Sequence, residues 1–143
     1  MDNRNEPIIV DQDFKLPVEK VWAAITDRDQ MIQWFFADIP EFKAEKGFYT
    51  EFDVDSGERI FRHRWMILEA TPPCKIVYHW SYKDMEGEGI VSFDLLKKDK
   101  GTLLRLTNTG LDSFPDDIPE FSRESCKGGW EYFIKGNLKN FLE

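Results

Sequence analysis

The sequence predicts an α+β fold in which an antiparallel sheet with one apolar face lies against a single long C-terminal helix. Two observations carry this. Over most of residues 8–109, apolar and polar residues alternate in short runs bounded by Gly, Pro, Asp and Ser, the pattern of half-buried strands. After residue 119 the pattern changes, and apolar residues recur at helical spacing to the end of the chain.

The first strand is Ile8–Leu16, IIVDQDFKL, with Ile8, Val10, Gln12, Phe14 and Leu16 on one face and Asp11, Asp13 and Lys15 on the other. Pro17 ends it and opens a short helix. Val18, Val21, Trp22 and Ile25 give that helix an apolar stripe, and Glu19 sits in the first turn, where the helix dipole favours a negative charge. Asp27 or Asp29 can cap a second short helix through Met31, Ile32, Trp34 and Phe35. A meander follows: a weak strand at Glu41–Ala44, then Phe48–Val54, Arg59–Glu69, Lys75–Tyr82, Gly89–Leu96 and Thr102–Thr109. Its turns fall at Lys46-Gly47, Asp55-Ser56-Gly57, Pro72-Pro73, Glu86-Gly87 and Lys100-Gly101.

The long helix covers Glu120–Leu142. Trp130, Phe133, Ile134, Leu138 and Phe141 form its stripe. Gly128, Gly129 and Gly136 interrupt it, each disfavouring the helix by about 1 kcal/mol relative to alanine. Gly128 and Gly129 would thin the helix wall where it crosses the widest aromatic rows; Gly136 has no such reason.

Strand parity fixes which residues share a face once each turn is centred. Centres near Ser56-Gly57, Pro72-Pro73, Met85-Glu86 and Lys98-Asp99 pair Phe52 with Phe61, Trp65 with Trp80, Tyr78 with Phe93, and Phe93 with Leu104. All fall on one apolar face, while Arg62, Arg64, Asp94 and Arg105 point the other way, as in a sheet covered on one side only. The same registers gather Thr50, His63, Tyr82 and Asn108 at one end of the apolar face as a polar mouth.

At 143 residues the chain suits one domain spanning 1–143, with residues 1–6 as a flexible tail. Five Trp and twelve Phe must be buried or line something. A net charge of -8 argues against nucleic acid or anionic membrane as a partner. Cys74 and Cys126 fit a reducing compartment, and with no signal core or membrane span in view the cytoplasm is the expected location. No phosphate loop, dinucleotide fingerprint or Ser nucleophile elbow is present. His63 and His79 have opposite parity, and neither Cys has ligand spacing, so no metal or other cofactor is expected.

Several pieces, in order, carry a family resemblance: Pro17, Val21 and Trp22 followed by Trp34, IVYHW ending at Trp80, TLLRLTNTG ending at Gly110, and Gly129-Trp130 in the last helix. Together they resemble the START-like (SRPBCC) superfamily. More narrowly, the chain is similar to the family named after the C-terminal domain of the activator of heat-shock protein 90 ATPase, from about Ile8 to Leu142. The resemblance implies a helix-grip fold, a curved antiparallel sheet of six to seven strands wrapped around the long helix, with an apolar cavity between them. It also implies relatives that bind hydrophobic small molecules or lipids, some of them cyclases or hydrolases. The chain departs from the family where Lys46-Gly47 replaces a frequent glycine pair. The N-terminal domain of the eukaryotic co-chaperone has no counterpart in these residues, so a chaperone partner rests on analogy alone.

These readings converge on a cavity for a hydrophobic small molecule or lipid-like ligand, with no chemistry assigned. Its candidate wall comprises Thr50, Phe52, Phe61, His63, Trp65, Tyr78, Trp80, Tyr82, Phe93, Leu106 and Asn108 from the sheet, and Cys126, Gly129, Trp130 and Phe133 from the helix. The same aromatic set also suits a plain packed core. His63 could act as a base with Tyr82 or Asn108 in a cyclase- or hydrolase-like enzyme, but without a carboxylate on its face a hydrogen-bonded, half-buried histidine is the simpler reading. Cys126 reads as a small buried thiol rather than a nucleophile, since no base is identifiable beside it. The acidic connector with Asp112, Asp116 and Asp117 suits a solvated loop or a gate. The alternative function is a protein-interaction, co-chaperone-like module.

Overall fold

A computed structural model describes residues 4–143. The elements run β1 (Ile8–Phe14), α1 (Val18–Thr26), α2 (Arg28–Trp34), β2 (Tyr49–Asp55), β3 (Ile60–Thr71), β4 (Lys75–Tyr82), β5 (Gly89–Lys98) and β6 (Gly101–Thr109), followed by a connector and the C-terminal helix. The six strands form one curved antiparallel sheet in the order β1-β6-β5-β4-β3-β2. The meander supplies five neighbours in sequence order, and β1 adds itself beyond β6. The helix pair α1–α2 and the loop after it therefore carry the chain from one sheet edge to the other.

Face assignment follows the predicted parity, but three of the four predicted registers are displaced by two residues. Val54 pairs with Phe61, Tyr78 with Val91, and Phe93 with Leu106, while Trp65 pairs with Trp80 as predicted. The cause is turn geometry. In the first hairpin the Asp55 carboxylate accepts from the Gly57 N–H and Ser56 N–H donates to the Arg59 carbonyl, which moves the turn centre one residue and the register two. A bulge between Ile67 and Glu69 re-phases the end of β3.

Glu41–Ala44 is not a strand. This stretch is irregular and is held by one ring: Phe42 is buried against Trp65 and Tyr78 at centroid separations of 6.2 and 5.8 Å. Packing replaces a ladder here.

The last helix begins at Ser122, whose Oγ accepts from the Ser125 N–H, and runs as α3 (Arg123–Glu131), a π-helical stretch (Tyr132–Leu138) and α4 (Lys139–Leu142). The wider π turns alter the stripe. Trp130, Ile134 and Leu138, spaced four apart, are buried, Phe133 is half-buried, and Phe141 rotates outward to 40% exposure, contrary to the predicted inward position. Gly128 faces solvent, so the predicted thinning of the wall applies to Gly129 alone.

Of the predicted flexible tail, residues 1–3 lie outside the described residues, but Arg4 is ordered into the fold. It is only 9% exposed, and its Nη2 donates to the carbonyls of Leu111 and Phe114, both at 2.6 Å. The N-terminal arm thereby pins the connector, and Arg123 reinforces this by donating to the Pro7 carbonyl at 2.9 Å. Replacing Arg4 with Ala leaves two buried carbonyls without these donors. An Arg4→Ala variant is expected to lose about 1–3 kcal/mol in urea unfolding, with Arg4→Lys only partly restoring it because an ammonium lacks the guanidinium fork.

Candidate functional site

The sheet and the C-terminal helix diverge at the end where β3 and β4 meet the connector, leaving a partly open cavity of about 210 Å³. Its floor is His63, Trp80 and Tyr82 from the sheet; Trp130, Phe133 and Gly129 form the helix side; Leu111, Phe114 and Phe121 cover it from the connector. The connector is held in place by stacked rings, with Phe114 on Phe121 at 5.1 Å and Tyr82 against both at 5.5 and 5.2 Å. Gly110, at φ 85°, makes the turn out of β6 that starts this cover, a backbone conformation suited to glycine.

Of the residues singled out from sequence, His63, Trp80, Tyr82, Asn108, Cys126, Gly129, Trp130 and Phe133 line this cavity. Thr50, Phe52, Phe61, Trp65, Tyr78, Phe93 and Leu106 do not, and all are buried in the packed core around it. The displaced register explains Thr50: it opposes Trp65, and Phe52 opposes His63 in its place. Phe52 stacks behind the imidazole at 5.3 Å, and Phe61 packs against Tyr82 and Phe121 at 5.5 Å each. Trp65 and Tyr78 meet edge-on at 5.1 Å deeper in the sheet, while Phe93 and Leu106 are a cross-strand pair.

Sequence reading missed Phe36, Gly89, Val91, Leu111, Phe114, Glu120 and Phe121. A signal existed in the connector, where Leu111, Phe114, Ile118 and Phe121 recur every three or four residues among the acids, and Leu111, Phe114 and Phe121 are buried while Asp112, Asp116 and Asp117 stay in solvent. Phe36 lies beyond α2 and reaches the site only through the tertiary fold, 5.0 Å from both His63 and Phe133.

A family model described as activator of Hsp90 ATPase homolog 1-like protein matches residues 15–143. The chain belongs to that family. Comparison with curated proteins found no significant match. Among solved structures, protein CV1439 from Chromobacterium violaceum is 22% identical with a TM-score of 0.78, each chain covered to 96%. Protein BH1534 from Bacillus halodurans is 22% identical with a TM-score of 0.74 over the whole of both chains. The Aha1 dimer from Colwellia psychrerythraea is 19% identical with a TM-score of 0.74, each chain covered to 96%. At these identities the likeness shows the shared helix-grip fold.

In this family member the cavity's polar groups are sparse and mostly satisfied by one another. Trp130 Nε1 donates to Asn108 Oδ1 at 3.2 Å, Trp80 Nε1 donates to the Tyr82 hydroxyl at 2.9 Å, and Cys126 Sγ donates to the Glu120 carbonyl at 3.5 Å. Burial pushes the Glu120 carboxyl up, but bonds from its own backbone, Ser56 and Arg59 outweigh this and hold it below the usual range. Glu120 thereby ties the cavity rim to the β2–β3 turn. Burial also pushes the Tyr82 hydroxyl well above its ordinary range, so it stays protonated.

His63 is only 5% exposed and is enclosed by the rings of Phe36, Phe52, Trp80 and Tyr82. Burial lowers its pKa from 6.5 to about 4, opposed in part by the bond to the Phe61 carbonyl. His79, on the opposite face, pairs with Glu88 at 2.8 Å. The two cysteines are not joined, and among the described residues no three His, Cys, Asp or Glu side chains converge on a metal-sized site.

The depressed pKa of His63 carries a sign. Between pH 6.5 and about 4 the unfolded chain binds a proton that the folded chain refuses, so stability falls as the pH drops through this window and is unaffected by this group above it. The loss is on the order of 3 kcal/mol by the bottom of the window. Urea unfolding of His63→Phe across that range is expected to show a shallower acid decline than the native protein.

Proposed function

We propose that this protein binds an apolar small molecule in the cavity between sheet and C-terminal helix. The observation that most favours this is the space over Gly129: a side chain added there would meet nothing within 4 Å, although the residue lies on a cavity wall that includes the rings of Phe36, Trp80, Tyr82, Phe121 and Phe133. Close-packed cores leave few such voids, because each forfeits dispersion contacts. A volume near 210 Å³ holds several waters and falls below the roughly 300–1,000 Å³ typical of drug-sized ligand sites, which favours a compact ligand of one or two rings. The cytoplasm, with its reduced thiols, is the compartment we propose. No chemistry is assigned, because among the described residues the only hydrogen-bond partner orienting His63 is the Phe61 carbonyl, at 3.2 Å from Nδ1, and not a carboxylate.

A second reading, a protein-interaction module, draws on a different surface. Tyr49, Met66 and Ile90 are exposed apolar residues aligned across β2, β3 and β5, with His79 between the last two, on the face away from the cavity. Capture of the host's heat-shock protein 90 homologue by the native protein, lost in Met66→Glu, would support it; no capture would remove its main support.

Gly129→Leu separates a ligand cavity from plain packing. With the two-ring probe naphthalene, read by calorimetry, the substitution is expected to weaken binding about tenfold or more. The unfolding midpoint should stay level or rise, since replacing a helical glycine relieves about 1 kcal/mol of helix penalty. A destabilised variant, with no saturable binding by either protein, would instead identify the site as core.

A further inference from the structure

Besides Glu120 Oε1, a buried acceptor without a partner among the described residues, the cavity wall leaves an acceptor and a donor unused on two rings in contact. Because a carbonyl can only accept, the His63 Nδ1 contact with the Phe61 carbonyl at 3.2 Å places the imidazole proton on Nδ1 and a lone pair on Nε2. Nε2 makes no hydrogen bond among the described residues, yet it is not one of the fully buried atoms, and the residue that carries it lines the cavity. The Tyr82 oxygen accepts from Trp80 Nε1, which leaves its own O–H to donate. The two rings meet edge-on with centroids 4.8 Å apart, in cross-strand register.

Resting on the reading of this cavity as a ligand site, we propose that its polar end selects an aromatic ligand carrying a neutral hydroxyl, which donates to His63 Nε2 and accepts from Tyr82. A hydroxyl supplies both functions on one atom. An ether cannot donate and leaves Nε2 desolvated without a partner, the more costly side of a buried hydrogen bond. A carboxylate cannot donate either, and the burial of His63 disfavours the imidazolium that would compensate it. Without ligand, water can serve both groups, and a hydroxyl reproduces water's bonds where a methyl ether does not.

The test compares β-naphthol, its methyl ether and β-naphthoate at neutral pH, by calorimetry and tryptophan quenching. Naphthol is expected to bind about tenfold tighter than the ether. In His63→Leu that ratio should fall to about twofold or less while the ether's own affinity holds. Circular dichroism checks the fold of each variant. Should His63→Leu fail to fold, Tyr82→Phe decides: naphthol and ether oxygens both accept from Tyr82, so weaker binding of both supports the assignment, and unchanged binding of both overturns it. Equal binding of naphthol and ether by the native protein, or tightest binding of naphthoate, overturns the hydroxyl assignment and leaves the cavity as a ligand site. Absence of binding by all three overturns both.

Discussion

Trp130 is the contact through which the two layers of this fold hold together. Its indole lies against Trp80 at 5.6 Å, Phe93 at 6.0 Å and Phe35 at 5.8 Å, while its N–H donates to Asn108. One side chain therefore ties the C-terminal helix to β4, β5, β6 and the loop after α2. Aromatic pairs of this kind add about 0.5–1.5 kcal/mol each beyond the area they bury, and the hydrogen bond removes the penalty of burying an indole N–H. Below Trp130, Ile134 and Leu138 extend the same seam into a fully buried core.

The cavity is a consequence of where that seam ends. Toward the N-terminal end of the helix, the residue before Trp130 is Gly129, which contributes no side chain to close the gap, and the connector crosses over instead. The connector is held from three directions: by Arg4 through its carbonyls, by Glu120 through Arg59 and Ser56, and by the rings of Phe114 and Phe121 on Tyr82. A wall anchored on several elements can stay open without collapsing into the space it encloses. The same enclosure largely buries His63 and keeps it neutral, so the polar end of the cavity is an acceptor rather than a cation.

Much of this was legible in the chain. Alternation identified the strands and their inner faces, because a two-residue error in register leaves parity intact. That is why Phe52, Trp65, Tyr78, Trp80 and Phe93 all point inward although three registers moved. Parity cannot say how far along a strand a residue lies, so Thr50 was placed beside His63 when Phe52 holds that position. Separating cavity wall from packed core failed for the same reason: Tyr78 and Tyr82 share a strand and a face, yet only Tyr82 reaches the opening.

The sequence by itself determined the α+β class, the order of elements, the apolar face of the sheet and the helix that covers it, since these follow from local periodicity and turn chemistry. Tertiary structure alone decided that Arg4 and the connector close over the site, that Phe36 arrives from beyond α2, and that the helix shifts into π turns and releases Phe141 to solvent. Each of these depends on contacts between residues far apart in the chain or on the fit of one layer to the other. The pattern of the C-terminal helix, with its three glycines, thus becomes specific at one position: Gly129 matters because of His63, Tyr82, Phe114 and Phe121 across the space beside it, and nothing local to the helix encodes those rings.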